Sequence, residues 1–225
     1  MQLYIGNKNY SSWSLRPWLL MTQTGIAFDE VRLTLSWADD SPFKQTLLAL
    51  APTGRVPLLV DDDGFAVWDT LAIAEFLAER FAERALWPAD PKQRARARSL
   101  CAEMHSGFGD LRSAFPMNLE AALPDVGQRV LAERPGAARD LARIDAMWRE
   151  QMSASGGPFL FGAFGIADAF YAPVCSRIET YALPLSGRSE AYRQRVLALP
   201  SFQRWTREAL AEQEFIVEDE PYRTR

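Results

Sequence analysis

A strand that runs directly into a helix is the feature that most limits how this chain folds. Leu3-Tyr4-Ile5 is a short apolar run with the composition of a β-strand. Over residues 14–24 the apolar side chains recur at helical spacing. The loop between them ends in Ser11 and Ser12, and serine is a preferred N-cap residue of helices. Because the N–H groups of a first helical turn point outward, an anionic group is stabilised at this position. A serine that caps the helix without any chemistry is the alternative interpretation.

Further strands and helices follow as far as residue 81. The pattern predicts a strand at 30–35, a helical segment at 43–50, a strand at 56–60, a strand at 65–68 and a helix at 71–81. An Asp-Asp-Asp-Gly turn joins the last two strands into an antiparallel hairpin. The first two strands are expected to be parallel, because a crossover helix connects them. These elements predict a small α/β domain.

A proline-containing segment, Trp87-Pro88-Ala89-Asp90-Pro91, interrupts this pattern and is typical of a linker. Beyond it the periodicity is helical throughout, with predicted helices at 91–115, 137–155, 166–181, 189–196 and 201–212. We therefore predict a domain at residues 1–83, a linker at 84–91 and an all-helical domain at 92–225. The fold class is α/β followed by all-α.

The composition excludes several classes of protein. The net charge of -4 argues against nucleic acid or an anionic membrane as a partner. Two cysteines, Cys101 and Cys175, and a single histidine are too few for a disulfide framework or a structural zinc site. No apolar run reaches the length of a transmembrane helix. We expect a soluble cytoplasmic protein that needs no metal.

Three local features indicate a narrower class of fold. Val56-Pro57 begins a predicted strand, where a trans proline would be awkward because it donates no ladder hydrogen bond. A cis bond is the usual solution, and it would turn the backbone N–H and C=O of Val56 toward an extended ligand. In Trp68-Asp69-Thr70-Leu71-Ala72-Ile73 a strand ends and a helix begins with an acid and a hydroxyl. The third feature is Phe164-Gly165-Ile166-Ala167-Asp168 in the helical half.

With these features the sequence resembles the glutathione S-transferase superfamily over nearly its whole length. Residues 11–16 are similar to the Ser-Ser-Cys-x-x-Arg signature of the zeta class, also known as maleylacetoacetate isomerase. Val56-Pro57 matches the cis-proline site of the superfamily, and Asp69-Thr70 stands where most members have Glu-Ser or Gln-Ser. Residues 166–168 match the buried capping box of its helical domain. The resemblance implies a bacterial, zeta-like member with a thioredoxin-like N-terminal domain and a C-terminal helical bundle.

Three positions depart from the pattern of the superfamily. Trp13 replaces the cysteine of the zeta signature, which puts isomerase chemistry at that position in doubt. Gly165 stands at a helix N-cap where Ser or Thr is usual, so Asp168 is expected to do more of the capping. Thr70 replaces the usual serine and preserves its hydroxyl.

The resemblance implies that the reaction begins with the glutathione thiolate. A thiol with a pKa of about 8.5 is mostly protonated at neutral pH, and only its thiolate attacks. A hydroxyl that donates a hydrogen bond to the sulfur, next to a helix N-terminus, favours the anion. Ser11 aligns with the catalytic serine of the zeta class, and Ser12 is the reserve because a one-residue error in the loop would exchange them. The phenol of Tyr10 is an alternative donor.

The remaining site residues are also assigned by the resemblance. The predicted glutathione-binding residues are Val56, Pro57, Asp69, Thr70, Arg55 and Lys44. Asp69 and Thr70 would receive the γ-glutamyl group, Val56 would bind through its backbone, and Arg55 and Lys44 would meet the glycyl carboxylate or remain solvated surface charges. The predicted second-substrate residues are Tyr10, Trp13, His105 and Arg112. Arg177 is a further candidate for an anionic substrate, and Arg16 of the zeta signature either packs or forms a pair within its helix.

Three functions are compatible with these residues. The first is a glutathione S-transferase that uses a serine hydroxyl to activate the thiol for attack on a small electrophile. The second is a glutathione-dependent cis–trans isomerase of the maleylacetoacetate type. The third is a glutathione- or ligand-binding protein without turnover. Thiol transfer through a mixed disulfide is disfavoured, because no cysteine lies at residues 10–14. The resemblance also implies a homodimer.

Overall fold

The computed structural model describes residues 1–224, so Arg225, the end of the predicted helical domain, lies outside the described residues. Within this range the chain forms a four-stranded sheet and ten α-helices. The strands are β1 (Gln2–Ile5), β2 (Asp29–Arg32), β3 (Leu58–Val60) and β4 (Ala66–Trp68). The first three helices are α1 (Ser12–Thr24), α2 (Pro42–Leu48) and α3 (Thr70–Arg80).

The sheet has the strand order β2-β1-β3-β4. Strands β1 and β2 are parallel and are connected through α1, whereas β3 is antiparallel to both β1 and β4. The predicted parallel pair and the predicted hairpin are therefore confirmed. Helix α1 contributes Leu15, Trp18 and Leu19 to the core, and none of the three is exposed. The strand–helix unit at the start of the chain thus forms the centre of this layer.

Three strands are shorter than the sequence pattern predicts; β4 lacks one residue, and the two larger differences have a backbone reason. The strand predicted at 30–35 ends at Arg32, and the N–H of Leu35 is bound by the Asn7 side chain at 2.8 Å. The strand predicted at 56–60 begins only at Leu58, because Pro57 has no N–H to donate. The Val56–Pro57 bond is cis, as expected.

The second part of the chain is helical and is built around one central helix. Its helices are α4 (Pro91–Ser106), α5 (Gly109–Ala114), α6 (Pro124–Glu133), α7 (Pro135–Ser155), α8 (Ile166–Tyr181), α9 (Gly187–Leu197) and α10 (Pro200–Glu212). In α8 every residue except Glu179 is buried, and this helix packs on α1, α4, α6 and α9. One large apolar core runs through both parts of the chain, and a smaller cluster of Phe43, Leu47, Ala51 and Leu58 lies apart from it. The division into domains at residues 84–91 stays a prediction.

The helix predicted at 91–115 is wrong as one element. It breaks after α4 because Phe108 takes a left-handed conformation with φ 53. At Gly107 a Cβ atom would lie 2.6 Å from the carbonyl oxygen of Glu103, so the last turn closes only on a residue without a side chain. Helix α6 was not predicted. No helix in residues 1–224 has the length and apolar character needed to cross a membrane.

The N-terminus of α8 confirms the expected role of Asp168. Its carboxylate accepts hydrogen bonds from the N–H of Gly165 at 3.0 Å and from the N–H of Leu160 at 3.1 Å. The hydroxyl of Tyr192 donates a third bond at 3.0 Å. Burial raises the pKa of Asp168 to about 6 against the lowering effect of these donors. The Asp168 carboxylate therefore caps this helix without the second hydrogen bond that a Ser or Thr side chain at position 165 would provide.

A buried lysine fastens the loop after β1 to the end of the helical part. Lys8 is 3% exposed, and its ammonium group pairs with Glu30 at 2.7 Å and with Glu208 of α10. The same nitrogen lies 5.0 Å from the centre of the Trp18 ring and 5.3 Å from that of Trp205. The indole N–H of Trp205 donates to the Lys8 carbonyl at 2.9 Å. This cluster joins β2, α1 and α10 at one point.

We expect Lys8→Met to lower the free energy of unfolding by about 3 kcal/mol, because it leaves two carboxylates without their buried partner. The matched control is Arg204→Met. Arg204 also pairs with Glu208 and lies 5.3 Å from the Trp18 ring, but its side chain is 54% exposed. Its loss should cost less than about 1 kcal/mol. Chemical denaturation of both variants measures the difference, and equal losses would contradict the special role of Lys8.

Candidate active site

The loop between β1 and α1 is held in place by two asparagine side chains. The Asn7 carbonyl oxygen accepts the N–H of Leu35, as described above. The Asn9 carbonyl oxygen accepts the N–H of Leu119 at 2.7 Å and that of Glu120 at 2.9 Å. Both asparagines are buried. The loop that carries the serines is therefore fixed to both parts of the chain rather than mobile at the surface.

The serine hydroxyls differ in their hydrogen bonds. Ser11 is the N-cap residue of α1, but its side chain makes no capping bond. Its hydroxyl donates to the hydroxyl of Ser14 at 2.7 Å, and the Ser14 hydroxyl also accepts the N–H of Gly6 at 3.1 Å. The Ser12 hydroxyl makes no hydrogen bond within residues 1–224. The purely capping interpretation of Ser11 therefore does not describe its side chain.

Two adjoining cavities contain all of the predicted site residues. The first, which we call the serine cavity, has a volume of ≈ 480 Å³ and includes Tyr10, Ser11, Ser12, Lys44 and Arg112. The second, which we call the Asp69 cavity, has a volume of ≈ 300 Å³ and includes Pro57, Asp69, Thr70 and His105. Trp13, Arg55 and Val56 line both. The two cavities together have room for an extended ligand that passes Val56.

Val56 offers an unused stretch of backbone between the two cavities. It precedes the cis bond and lies outside β3. No hydrogen bond within residues 1–224 engages its N–H or its C=O. Exposed backbone groups of this kind bind extended peptides by adding a strand. The backbone of Val56 is therefore free to pair with an extended ligand, and its role in binding glutathione stays a prediction.

The first turn of α3 brings an acid, a hydroxyl and an imidazole together. Asp69 is the N-cap residue, with one carboxylate oxygen bound to the N–H of Leu71 at 2.9 Å. Its φ of 75 is uncommon for a residue with a side chain. The Nε2 of His105 lies 3.4 Å from its other carboxylate oxygen. The hydroxyl of Thr70 donates to the Trp13 carbonyl at 3.3 Å. His105 thus lies with the predicted glutathione residues and not beside Tyr10 and Arg112.

The two predicted carboxylate-binding cations lie on the other side of Val56. The Lys44 ammonium group donates to the carbonyl of Gly54 at 3.2 Å and lines the serine cavity. The side chain of Arg55 is exposed and lines both cavities. Both can reach an anionic group in the serine cavity, so their charges are available to a ligand.

Arg16 is a buried cation that has no carboxylate partner within residues 1–224. Its guanidinium carbon lies 4.0 Å from the centre of the Trp13 ring and 5.4 Å from that of Phe170. The Nε donates to the Phe170 carbonyl at 3.2 Å, while the buried Nη1 has no partner. Burial lowers the pKa of Arg16 to about 9, with the charges of Arg177 and Arg112 acting in the same direction. The arginine of the zeta signature packs between two rings.

Arg112 and Arg177 add two further cations to the wall of the serine cavity. Arg177 donates through Nη1 to the carbonyls of Phe115 and Arg112. Burial lowers its pKa to about 10, and burial also lowers the pKa of Arg112. The buried Nε of Arg112 has no partner. Arg112 and Arg177 line this cavity, and Arg16 stacks on Trp13, which also lines it. None of the three guanidinium groups forms an ion pair within residues 1–224. An anionic ligand would be strongly favoured here.

The C-terminal segment closes one side of the serine cavity. The hydroxyl of Tyr10 donates to the carboxylate of Glu220 at 2.8 Å, and the hydroxyl of Tyr222 donates to the carbonyl of Ala114 at 2.8 Å. Burial and the Glu220 carboxylate raise the pKa of Tyr10 to about 12. Asp219, which directly precedes Glu220, lines the cavity. The Tyr10 phenol is thus committed to the segment that covers the site.

Asp219, Asn7 and Asn9 are site residues that the sequence analysis missed. The asparagines lie just before the serines, but no periodicity distinguishes an anchoring amide from a turn residue. Asp219 lies in a charged tail whose path over the cavity is set by contacts far away in the sequence. The run of aromatic residues within that tail, which includes Phe215 and Tyr222, is the one available signal that it packs on the protein.

The two cysteines do not belong to either cavity. Cys101 and Cys175 are both buried and free, and burial raises the pKa of each thiol. Such thiols are unreactive, because the thiolate is the nucleophilic form. Among the described residues, no three His, Cys, Asp or Glu side chains lie close enough to hold a metal ion.

Comparison with known families gives two matches along the chain. Residues 10–80 match the glutathione S-transferase N-terminal domain, and residues 118–208 match the glutathione S-transferase C-terminal domain. Maleylacetoacetate isomerase of Pseudomonas aeruginosa is 32% identical over 119 residues, which are 53% of this chain and 55% of that protein. The chain therefore aligns with about half the length of that relative. Maleylacetoacetate isomerase of Rattus norvegicus is 26% identical over 204 residues, 89% of each chain.

Solved structures agree with these matches. A glutathione transferase homologue from Burkholderia, with bound glutathione, has a TM-score of 0.67 at 25% sequence identity. The similarity covers 95% of this chain and 98% of that chain. The sheet and the helices described above therefore have the same arrangement as in that protein.

We expect Arg16→Met to leave the free energy of unfolding unchanged within about 1 kcal/mol, or to raise it. The variant loses one hydrogen bond and two ring contacts, but it removes a buried charge whose desolvation costs several kcal/mol. Chemical denaturation measures the change.

The matched control is Arg177→Met, which leaves the carbonyls of Phe115 and Arg112 without their donor and should cost about 1–3 kcal/mol. If the Arg16 variant instead lost about 3 kcal/mol, its guanidinium would have a stabilising partner, contrary to the charge balance described above.

Proposed function

Since this chain belongs to the glutathione S-transferase family, a family of enzymes, we propose that it binds glutathione across the two cavities and activates its thiol with a serine hydroxyl. The thiolate then attacks a small electrophile in the serine cavity. The observation that carries this proposal is the free backbone of Val56, which lies between the Asp69 cavity and the two serines. The zeta-like resemblance of residues 11–16 supports the choice of serine as the activating residue.

Glutathione would lie with its γ-glutamyl end in the Asp69 cavity. Asp69 and Thr70 would receive the ammonium and carboxylate groups, with the N–H groups of the first turn of α3 facing the carboxylate. The cysteinyl backbone would pair with the N–H and C=O of Val56. The glycyl carboxylate would then meet Lys44 and Arg55 in the serine cavity. The order of these groups along glutathione matches the order of the residues along the two cavities.

The thiol would be ionised by its surroundings. The N-terminus of α1, a serine hydroxyl and the unpaired guanidinium groups of Arg16 and Arg112 all favour a negative charge at this position. Each unit by which these groups lower the pKa of the thiol corresponds to about 1.4 kcal/mol. Because Ser11 already donates to Ser14, its hydroxyl must turn to reach the sulfur, whereas that of Ser12 is unengaged.

The setting of this reaction follows from the family. We propose that the chain works as a homodimer in the cytoplasm, with glutathione as co-substrate. The electrophile occupies the part of the serine cavity that Arg112, Pro116 and Met117 line.

A glutathione-dependent cis–trans isomerase is the second candidate, because the relatives from Pseudomonas aeruginosa and Rattus norvegicus are maleylacetoacetate isomerases. In that reaction the thiolate adds to a double bond, the bond rotates and the thiolate leaves, so glutathione is returned. The two candidates share the thiolate and differ in whether the sulfur–carbon bond persists. Mass spectrometry of the product distinguishes them.

We expect bound glutathione to show a thiolate absorption band that titrates well below the usual thiol pKa of about 8.5. Ser11→Ala should move this titration upward by about 1–2 pKa units, because the thiolate loses its hydrogen bond. Ultraviolet difference spectra against pH measure it.

Two serine variants serve as controls for this titration. Ser12→Ala should leave it unchanged, and Ser14→Ala, which frees the Ser11 hydroxyl, should not raise it. A shift in the Ser12 variant instead of the Ser11 variant would transfer the role to Ser12. Absence of glutathione binding in the parent protein would contradict the proposed function itself.

We expect His105→Phe to raise the KM for glutathione about 2- to 5-fold, because the contact of its Nε2 with Asp69 at 3.4 Å joins two partly exposed groups and contributes about 0.2–1 kcal/mol. The phenyl ring preserves the contact with Trp13, whose ring centre lies 5.2 Å from that of the imidazole. The KM for the electrophile should not change. Steady-state kinetics with each substrate varied in turn measure both KM values. A change confined to the KM for the electrophile would instead assign His105 to the second-substrate site.

A further inference from the structure

Asp219 is a carboxylate placed among cations. It belongs to the short 3-10 helix Val217–Asp219, which follows α10, and it lines the serine cavity together with Ser11 and Ser12. The other charged side chains that line this cavity within residues 1–224 are all basic, and they are Lys44, Arg55, Arg112 and Arg177. The cavity therefore has one acid among several bases.

Two nearby acids of the C-terminal segment, Glu214 and Glu220, have structural partners, whereas Asp219 has none within residues 1–224. Glu214 pairs with Arg32 at 2.9 Å, and Glu220 accepts the hydroxyl of Tyr10 and pairs with Arg223. The Asp219 carboxylate makes no hydrogen bond and no ion pair within residues 1–224. Its backbone N–H is bound to the carbonyl of Ile216 at 2.9 Å. The segment is therefore fixed on both sides of a carboxyl group that is itself unengaged.

Burial and the nearby charges bring the pKa of the Asp219 carboxyl group close to neutral pH. Burial, together with the charges of Glu218 and Glu220, raises its pKa to about 6, while Arg177 acts in the opposite direction. Arg112 lines the same cavity, and the Tyr10 phenol stays protonated. Both forms of the carboxyl group are therefore present at neutral pH, which suits general acid catalysis.

We propose that Asp219 is the proton donor of this enzyme toward electrophiles in which a carbon–carbon double bond is conjugated to a carbonyl group. The proposal rests on the glutathione-transferase function proposed above, and it adds a catalytic residue. Asp219 would touch the electrophile on the side where the C-terminal segment covers the cavity, while the thiolate attacks from the serine side.

The proton is needed because addition of the thiolate to such an alkene produces an enolate, and its α-carbon must be protonated to complete the reaction. The thiolate sulfur forms a bond to the β-carbon, and the π electron pair moves to the α-carbon and the carbonyl oxygen. Arg112 and Arg177 can donate to that oxygen while it carries the charge. The O–H bond of Asp219 then breaks and its proton passes to the α-carbon. Water returns a proton to the carboxylate, so the sum is glutathione plus alkene giving one thioether.

Substitution on an aryl halide needs no such proton and therefore provides an internal control. The sulfur forms a bond to the ring carbon, and the halide departs with the electron pair of its bond. Both reactions require the same thiolate and the same glutathione contacts. A difference between them isolates the proton transfer from binding, folding and thiol activation.

The test compares the parent protein with Asp219→Asn, using benzylideneacetone as the conjugated ketone and chlorodinitrobenzene as the aryl halide. We expect kcat/KM for the ketone to fall roughly 100-fold, in the range typical of a lost general acid. The value for the aryl halide should stay within about 2-fold, which also shows that the variant is folded. The matched control is Glu218→Gln, the neighbouring carboxylate that is exposed and does not line the cavity. Because the Glu218 charge helps to raise the pKa of Asp219, this variant should lower the ketone value only slightly and leave the aryl halide value unchanged.

The pH dependence provides a second readout that a structural role would not produce. In the parent protein the ratio of ketone to aryl halide rates should fall as pH rises through about 6, because the acid form of Asp219 disappears. In Asp219→Asn the ratio should be low and independent of pH. Since both reactions use the same thiolate, its ionisation cancels in the ratio.

Three results would overturn the proposal. They are an equal loss of both activities in Asp219→Asn, an unchanged ketone activity in that variant, and a parent protein that converts the aryl halide but not the ketone. A parent protein that converts neither compound and does not bind glutathione would contradict the proposed function, and this proposal with it.

Discussion

The buried ammonium group of Lys8 is the interaction on which the arrangement of the site depends. A charge removed from water must be paired, and Lys8 finds its partners on β2 and α10, which lie at opposite ends of the sequence. Its own N–H is bound by Glu212, and Asn7 next to it binds Glu212 and Glu214. The loop that carries the serines and the segment that covers them are therefore fixed by the same few residues.

This connection explains why the cavity can keep an unbalanced charge. Arg16 and Arg177 are buried, Arg112 is half-buried, and none of them has a carboxylate partner within residues 1–224. This lowers stability, and the surrounding elements hold them there. A site of this kind favours thiolates, carboxylates and enolates over neutral ligands. Strain and unpaired charge commonly concentrate at functional sites, and the N-cap residue Asp69 with its positive φ is another example.

Much of the site could be predicted because it consists of local patterns. The hairpin before α3, the cis bond at Pro57 and the capping by Asp168 each depend on residues a few positions apart, and the structure has all three. Local patterns failed where long-range contacts decide. The strand predicted at 30–35 ends early because Asn7 binds Leu35, and His105 lies beside Asp69 because α4 packs on α3.

The sequence by itself determined the order of the strands and helices as far as α3, and the family, with its expectation of which residues bind glutathione. These follow from periodicity, from turn and capping residues, and from motifs whose members are close in the chain. Only the tertiary structure decided that Arg16 stacks on Trp13, that the Ser11 hydroxyl is bound to Ser14 and that Asp219 lines the serine cavity. The physical reason is that the burial and the pairing of charged groups depend on contacts between segments far apart in the sequence. No local sequence pattern predicts those contacts.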